Sequence, residues 1–519
     1  MDENRLLRKS IITSFRLNGL SIKGDACDYL VSQLGPVTEE ERSSWISKVT
    51  EFLQKKKSLS DPVVLKSHVV SAVDECCKSE METADDVFFV IGAFDVPKFN
   101  YHHDTKKFIR RIDAKRNVFA EAEHRIKHFS DRYTMIKQRI DRHELLSSRN
   151  KSSDEAKLRT IDYLLSCAAE NEKVVVFGIL AQLQEGKYFL EDPSGILPLN
   201  LSQAIYHNGL FAENCLILAE GEFCDGVLCV HGLAMPPPES SKISRTYFGN
   251  ANTFGGPSEV SLKTSARMMK IEESNEEAMI VFISDIWLDN AKVLDKIRML
   301  LAGYDEYSPL AIVLMGDFLS KPYGNQHSSM FRDKFKELAV IISHYKNLLA
   351  ETTFIIVPGP TDSPYANILP RPPLPSFLTE EFSKRVPKSI FTTNPCRIQY
   401  CTQEIVVFRE DILTKMCRNC VHFPESGDVS LHFVKTILSQ CYLTPVPLSV
   451  CPVYWSEGAA LTIYPLPDVL VVADQRSPFN ITHKDCVVFN PSSFSLRQFC
   501  FTVYVPASKQ VEDSQISTD

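Results

Sequence analysis

Four aspartates stand where an apolar run gives out: Asp285 after "MIVFIS", Asp317 in "AIVLMGDFLS", Asp362 in "FIIVPGPTD", and Asp474 after "VLVVA". Carboxylates at the ends of neighbouring strands converge on one edge of a sheet, where they can hold divalent cations. The chemistry in question is two-metal hydrolysis of a phosphoester. Such a centre needs ions about 3.5–4 Å apart, a bridging carboxylate, and neutral nitrogen ligands that leave room for the attacking water. Whether Asp317 holds a metal therefore depends on its companions.

The three strand ends at Asp285, Asp317 and Asp362 resemble the metal-binding corners of calcineurin-like phosphoesterases. That resemblance implies Asp-x-His at the first corner, Gly-Asp with a further acid three residues on at the second, Gly-Asn-His at the third, and a last histidine pair after another strand. Here Trp287 occupies the histidine position of the first corner, and an indole N–H donates only. Ser320 replaces the second acid, after Gly316 and Asp317. Gly359 and Asp362 survive in the third corner, but Pro360 offers no ligand and Thr361 cannot act as a general acid near neutral pH. Arg476 follows Asp474, and a permanently protonated guanidinium repels a dication. The expectation is an inactivated site with no catalytic residue, metal or cofactor. On that view Gly316 persists because it permits a tight turn, and Asp317 because it can bond backbone N–H groups.

A second metal possibility is "MCRNCVHF", where Cys417 and Cys420 have zinc spacing and His422 lies close by. One such pair supplies half of a tetrahedral set, and the nearest further candidates, His432 and Cys441, form no second pair. Structural thiols are the expectation.

The elements that must position these residues fall into blocks. From 1 to 75 the apolar residues recur at helical spacing, broken by Gly19, Gly24 and Gly35-Pro36, which predicts a small helical domain. Residues 76–160 read as a partly ordered basic connector containing the short apolar piece "VFFVIGAF". From 161 to 238 the period changes to that of strands. "KVVVFGILAQLQEGKYFLEDPSGILPLNLS" and "NCLILAEGEFCDGVLCVHGLAMPPP" predict five short strands, an order that fits a closed barrel of the OB type. Residues 239–506 begin with strand–helix alternation, including a helix from Asp289 to about Ala302 ended by Gly303, and shift to strand-rich sequence such as "EIVVF", "LTIYPL" and "DVLVVAD". This predicts an α/β sandwich with a second, more antiparallel layer. The polar tail, 507–519, is expected to lack structure. The fold class is therefore α+β and multidomain.

Composition narrows the function. The 519 residues carry 57 Lys and Arg against 65 Asp and Glu, a formal net charge of −8, which argues against a protein that wraps nucleic acid with its whole surface. A local basic stretch remains, from Lys106, Lys107, Arg110, Arg111, Lys115 and Arg116 through Arg125, Lys127, Arg132, Lys137, Arg139 and Arg142; it reads as a solvated linker face or a patch for weak DNA contact. On the barrel, Lys187, Tyr188 and Phe189 could stack single-stranded bases or could be core. The longest apolar runs are strand-sized, so no membrane span is expected. The 15 cysteines lack a framework spacing, which suits reduced thiols in the cytosol or nucleus.

Longer runs carry a wider resemblance. "EGKYFLEDPSG", "YFGNANTFGGPS", "VFISDIWLD", "ILPRPPL", "FTTNPCRIQYCTQEIVVFREDILTKMCRNC" and "YPLPDVLVVAD", with the order of helical module, connector, barrel and sandwich, resemble the B subunits of replicative DNA polymerases in their epsilon branch. The resemblance implies a non-catalytic accessory subunit in the nucleus. It implies partners too: the zinc-bearing C-terminal domain of the catalytic subunit of DNA polymerase epsilon, small histone-fold subunits, and the replicative helicase through GINS. Lys55 to Lys57 is too short to read as an import signal. The competing readings are a single-strand-binding module resting on Tyr188 and Phe189, and an active metallo-phosphodiesterase resting on Asp317.

Overall fold

The computed structural model describes residues 2–35, 39–56, 63–79, 87–111, 120–143, 157–167, 172–322, 328–362 and 367–517. At the N-terminus α1 (Asp2–Leu17), α2 (Gly24–Leu34), α3 (Glu39–Lys56) and α4 (Lys66–Ser79) turn one apolar stripe each onto a shared core of Ile11, Phe15, Leu30, Val49 and Val69. That spacing is what amphipathic helices require. The side chains of Lys55, Lys56 and Lys57 lie outside the described residues, as do Lys115 and Arg116 of the basic stretch.

The described parts of the segment expected to be a partly ordered connector pack into the body. Phe88–Gly92 (β1) pairs antiparallel with Cys396–Tyr400, Ile91 opposite Arg397. Its unbroken apolar run finishes a sheet beside a partner more than 300 positions away, which local sequence does not reveal. The helix Ala122–Arg142 (α5) buries Ile136 and Ile140 completely, worth about 1.5–3 kcal/mol each. Its basic residues divide: Arg125 is exposed and Lys127 and Lys137 partly so, which keeps part of the solvated face expected, while others turn inward. Arg132 and Arg139 are each 3% exposed, Arg139 donating to the Ser439 carbonyl at 2.6 Å. Arg142 pairs with Glu239 at 2.8 Å and lies 3.7 Å over the Tyr247 ring.

The barrel consists of β2 (Glu172–Gln184), β3 (Lys187–Asp192), β4 (Gly195–Asn200), β5 (Leu216–Cys224) and β6 (Val227–Ala234). Neighbours are antiparallel except for the closing pair of β6 with β4, which is parallel. This is OB topology. Two glycines are required by close approach: a Cβ at Gly178 would meet the Glu191 carbonyl oxygen at 2.6 Å, and one at Gly221 the Cys229 oxygen at 2.2 Å.

The sandwich has two six-stranded sheets. The first runs β10 (Ser389–Phe391), β9 (Thr353–Val357), β8 (Ala311–Met315), β7 (Ile280–Ser284), then β16 (Cys500–Val505) and β17 (Gln510–Gln515), with β7 to β10 parallel. The second contains β1, β11 (Cys396–Tyr400), β12 (Gln403–Arg409), β13 (Val469–Ala473), β15 (Cys486–Asn490) and β14 (Phe479–His483). Strand alternation separates the two faces of each sheet. Ile280, Phe282, Val313, Ile355, Ile405 and Val471 meet between the sheets. On the outer side Val281, Ile283, Leu314 and Ile356 pack under α6 (Ala291–Tyr304), α7 (Ser328–Ser343) and α8 (Ser376–Arg385). Both faces are covered, which is why these strands read as unbroken apolar runs.

The opposite outer face, Phe408 and Val472, joins α9 (Ile412–Asn419), α10 (Val429–Gln440), α5 and the barrel in one continuous core. Gly303 lies at the C-terminal end of α6, as expected. Two local expectations differ from what is found. "LTIYPL" is no strand; it leaves a 3-10 helix at Trp455–Leu461, and Pro465 removes a ladder donor. The polar tail forms β17, whose backbone pairs with β16 in register from Gln510–Val505 to Gln515–Cys500. Val511 packs against the core between the sheets while Gln510, Glu512, Asp513 and Gln515 are exposed, so polarity there marks an edge strand and not a lack of structure.

Candidate functional site

The strand ends do converge, and an arginine stands among them. Arg409 closes β12 and is fully buried. Its Nη2 reaches Asp285 Oδ1 at 2.7 Å and Asp317 Oδ2 at 3.4 Å. Nη1 binds Asp411 Oδ1 at 3.0 Å, and Nε donates to the Gly316 carbonyl at 2.7 Å. Burial alone would lower the guanidinium's pKa; Asp285, then Asp317 and Asp411, outweigh it and hold the group charged well beyond its ordinary range. The cluster is thus one cation surrounded by three carboxylates from the ends of both sheets.

Backbone groups hold the carboxylates in place. Asp285 lies in the left-handed region, φ +56°, as the chain turns off β7, and its Oδ1 also accepts from Asp317 N at 3.1 Å. Thr361 N donates to Asp317 Oδ1 at 2.9 Å. Asp362 accepts from Phe318 N at 2.7 Å and from Gly359 N at 2.8 Å. Burial, then the neighbouring Asp317 carboxylate, pushes Asp362 up to about 8; burial also raises Asp285, against the pull of Arg409. A Cβ on Gly316 would fall 1.8 Å from Asp362 Oδ2, and one on Gly359 2.4 Å from Asp317 Oδ1. Both glycines are there for close approach.

Six of the singled-out residues therefore meet: Asp285, Gly316, Asp317, Gly359, Thr361 and Asp362. The others sit apart. Trp287 packs half-buried against the outer helical layer, its backbone N–H donating to Ser495 Oγ at 3.1 Å. Ser320 bonds Asp289 through both its N–H and hydroxyl. Pro360 bridges Gly359 and Thr361 in the turn. Asp474 caps the start of α9 through Thr414 N at 3.2 Å, its pKa raised by burial and then by Asp411. Arg476 lies at the surface, its Nε on Thr414 Oγ1 at 3.2 Å; it is not the cation of the cluster. Arg409 and Asp411 are not among the residues inferred from sequence. The available signal was an arginine ending an otherwise apolar strand, "EIVVFRED", in a sheet whose neighbours end in acids.

Beside this cluster a second buried ion pair, Arg371 with Glu410, is joined by Lys415 at 3.0 Å. The possible zinc residues disperse: Cys420 Sγ donates to the Cys417 carbonyl at 3.2 Å, His422 stacks on Tyr206 at 4.6 Å, His432 Nδ1 accepts from Gly209 N at 3.0 Å, and Cys441 lies against Arg139 at 3.1 Å. Among the described residues no group of three or more His, Cys, Asp or Glu is placed to hold a metal ion. On the barrel Tyr188 packs against the core and Lys187 is exposed. Among the described residues no helix is long and apolar enough to cross a membrane.

Family models match over the sandwich, the OB barrel and the N-terminal helices. Residues 280–480 match the model for the B subunit of DNA polymerases alpha and epsilon, 122–237 the OB-fold domain of DNA polymerase epsilon subunit 2-like proteins, and 3–76 the N-terminal region of DNA polymerases epsilon. The OB match begins at the start of α5, consistent with that helix packing into the barrel's core. DNA polymerase epsilon subunit 2 of Homo sapiens is 46% identical over 520 residues, covering 98% of each chain; that of Drosophila melanogaster is 39% identical over the same coverage. The chain belongs to the DNA polymerase epsilon subunit 2 family, accessory subunits of that polymerase. A solved archaeal phosphodiesterase aligns with 46% of this chain and 99% of its own at 13% identity and a TM-score of 0.26, too weak a likeness to bear on chemistry.

Proposed function

We propose that this subunit has no hydrolytic activity of its own and works as a scaffold. In this reading it grips the zinc-bearing C-terminal domain of the catalytic subunit of DNA polymerase epsilon, assembles with the small histone-fold subunits, and ties the enzyme to the replicative helicase through GINS, in the nucleus. The observation that carries it is Arg409. A guanidinium has no lone pair to offer a metal, and its charge occupies the space between Asp285 and Asp317 where a cation would otherwise be held. With Trp287, Ser320, Pro360 and Thr361 in place of donor residues, nothing remains to bind a second ion.

The separate core of the N-terminal helices, which shares no residue with the other cores, supports a role for that module in reaching a distinct partner. Two measurements test the proposal. The purified subunit, incubated with manganese and a phosphodiester substrate, is expected to release no product; turnover abolished by Asp317→Asn would overturn the scaffold reading. Co-expression is expected to recover the C-terminal domain of the catalytic subunit in a stoichiometric complex. Failure to recover it would count equally against the proposal.

A further inference from the structure

One cavity has no residue of the carboxylate cluster in its lining. It has a volume of about 320 Å³ and opens between the hairpin Lys98–His102/Lys107–Arg111, the first half of α5, and the segment from Trp455 to Tyr464. Aromatic walls come from Phe99, Tyr101, Phe108, Phe248, Trp455 and Tyr464. Tyr101 is half-buried and stands 5.1 Å from the Phe108 ring, which in turn stacks on Phe248 at 4.3 Å and 7°.

The charges are one-sided. Lys98, Arg111 and Lys127 line the cavity, Lys98 pairing with Glu457 at 3.2 Å, and among the described residues Asp131 is the one carboxylate in the lining. Two further lining groups are guanidiniums taken out of water without an anion. Arg132, 3% exposed, donates to the side chain and carbonyl of Asn214 at 3.0 Å and lies 4.3 Å over Tyr442; its Nε has no partner. Arg397, 7% exposed, donates to the carbonyls of Thr253, Phe254 and Thr462; Glu404, the carboxylate whose charge it feels, is paired with Arg245. Among the described residues neither guanidinium forms an ion pair. A buried cation without a counterion is costly to fold. An anionic occupant is the ready explanation for keeping two beside one cavity.

Aromatic walls, unpaired guanidiniums and a volume close to that of one mononucleotide define the ligand class together. Single-strand binders combine positive charge for phosphate with aromatic faces for bases. We propose that this cavity is a nucleotide site, which takes a base against Tyr101 and its phosphate toward Lys127 and the guanidiniums. The nucleotide is either free or one unit of a single strand. An acidic peptide would account for the charge but not for six aromatic walls.

The site is independent of the scaffold role, and its failure would leave that role standing. The test uses the full-length chain and a fluorescently labelled oligothymidylate, read by anisotropy across a salt series. Expected are saturable binding that weakens as salt rises, a loss of roughly tenfold in affinity in each of Lys127→Glu and Tyr101→Ala, and unchanged affinity in Tyr188→Ala on the barrel. Both cavity residues are partly solvent-facing, and unchanged thermal melting of the variants confirms that the fold survives. Displacement by free thymidine monophosphate identifies a free-nucleotide site; displacement by unlabelled strand alone identifies a single-strand site. The proposal is overturned if the wild-type chain does not bind, if neither cavity variant weakens binding, or if a glutamate-rich peptide displaces the probe as well as unlabelled oligonucleotide does.

Discussion

Replacing Arg409 by leucine removes the cation and leaves its carboxylates in place. Asp285 and Asp317 are 1% and 6% exposed, so water cannot take over from the guanidinium. Breaking a buried charge pair from one side costs about 3–5 kcal/mol. At about 2–4 °C per kcal/mol for a folding unit of this size, the melting temperature should fall by roughly 6–20 °C. The loss should depend on pH, and the sign follows from the carboxyls. Arg409 pulls the pKa values of both Asp285 and Asp362 down against burial, so without it both rise further. A carboxyl with a raised folded pKa favours the folded state while protonated and ceases to do so as pH climbs through that pKa. The deficit of Arg409→Leu relative to the parent should therefore be smallest near pH 5 and widen toward pH 8. Urea unfolding at several pH values measures it. Adding Asp285→Asn should recover part of the loss, since one stranded charge is removed. A deficit under about 1 kcal/mol, or one that does not change with pH, would refute a central, charge-balancing arginine.

Three further outcomes follow from the same geometry. Gly316→Ala places a methyl 1.8 Å from Asp362 Oδ2 and should destabilise the sandwich by at least about 3 kcal/mol, seen as loss of soluble protein or a large drop in melting temperature; a neutral effect would mean the turn is far looser than described. Because Asp362 titrates at about 8 against about 3.9 unfolded, its contribution to stability is complete below pH 4 and is lost as pH rises toward 8. The variant Asp362→Asn, although short of one backbone hydrogen bond, should therefore show a flatter pH–stability profile across that window. Arg142→Met removes the pair with Glu239 and the contact with Tyr247, both largely shielded, and should cost about 1.5–3 kcal/mol, measured by thermal melting; a shift below 1 °C would assign α5 no charge-based anchoring.

Much of this architecture is written locally. The barrel's five strands announce themselves through alternation and through the turns at Glu185-Gly186 and Asp225-Gly226, where Gly186, Asp225 and Gly226 all take positive φ. That Trp287 and Pro360 offer no side-chain lone pair to a metal is equally plain, because that capacity belongs to the side chain and does not depend on its surroundings. Less legible are β1 and β17. A lone edge strand has the same short, ambiguous pattern as a loop until its partner is known, and those partners are Cys396–Tyr400, far along the chain, and the buried strand Cys500–Val505.

Local sequence was enough for the barrel's strands, for the strand–helix alternation of the first sheet and for which side chains at the strand ends offer no lone pair, since these are properties of neighbouring residues and of side-chain chemistry. Where the charges went was settled in three dimensions. Arg409 lies 124 positions from Asp285 and 92 from Asp317, and Arg132 lies 82 from Asn214. Whether a cation stays in water or is buried depends on partners gathered from distant strands to offset its desolvation. No local pattern encodes that balance.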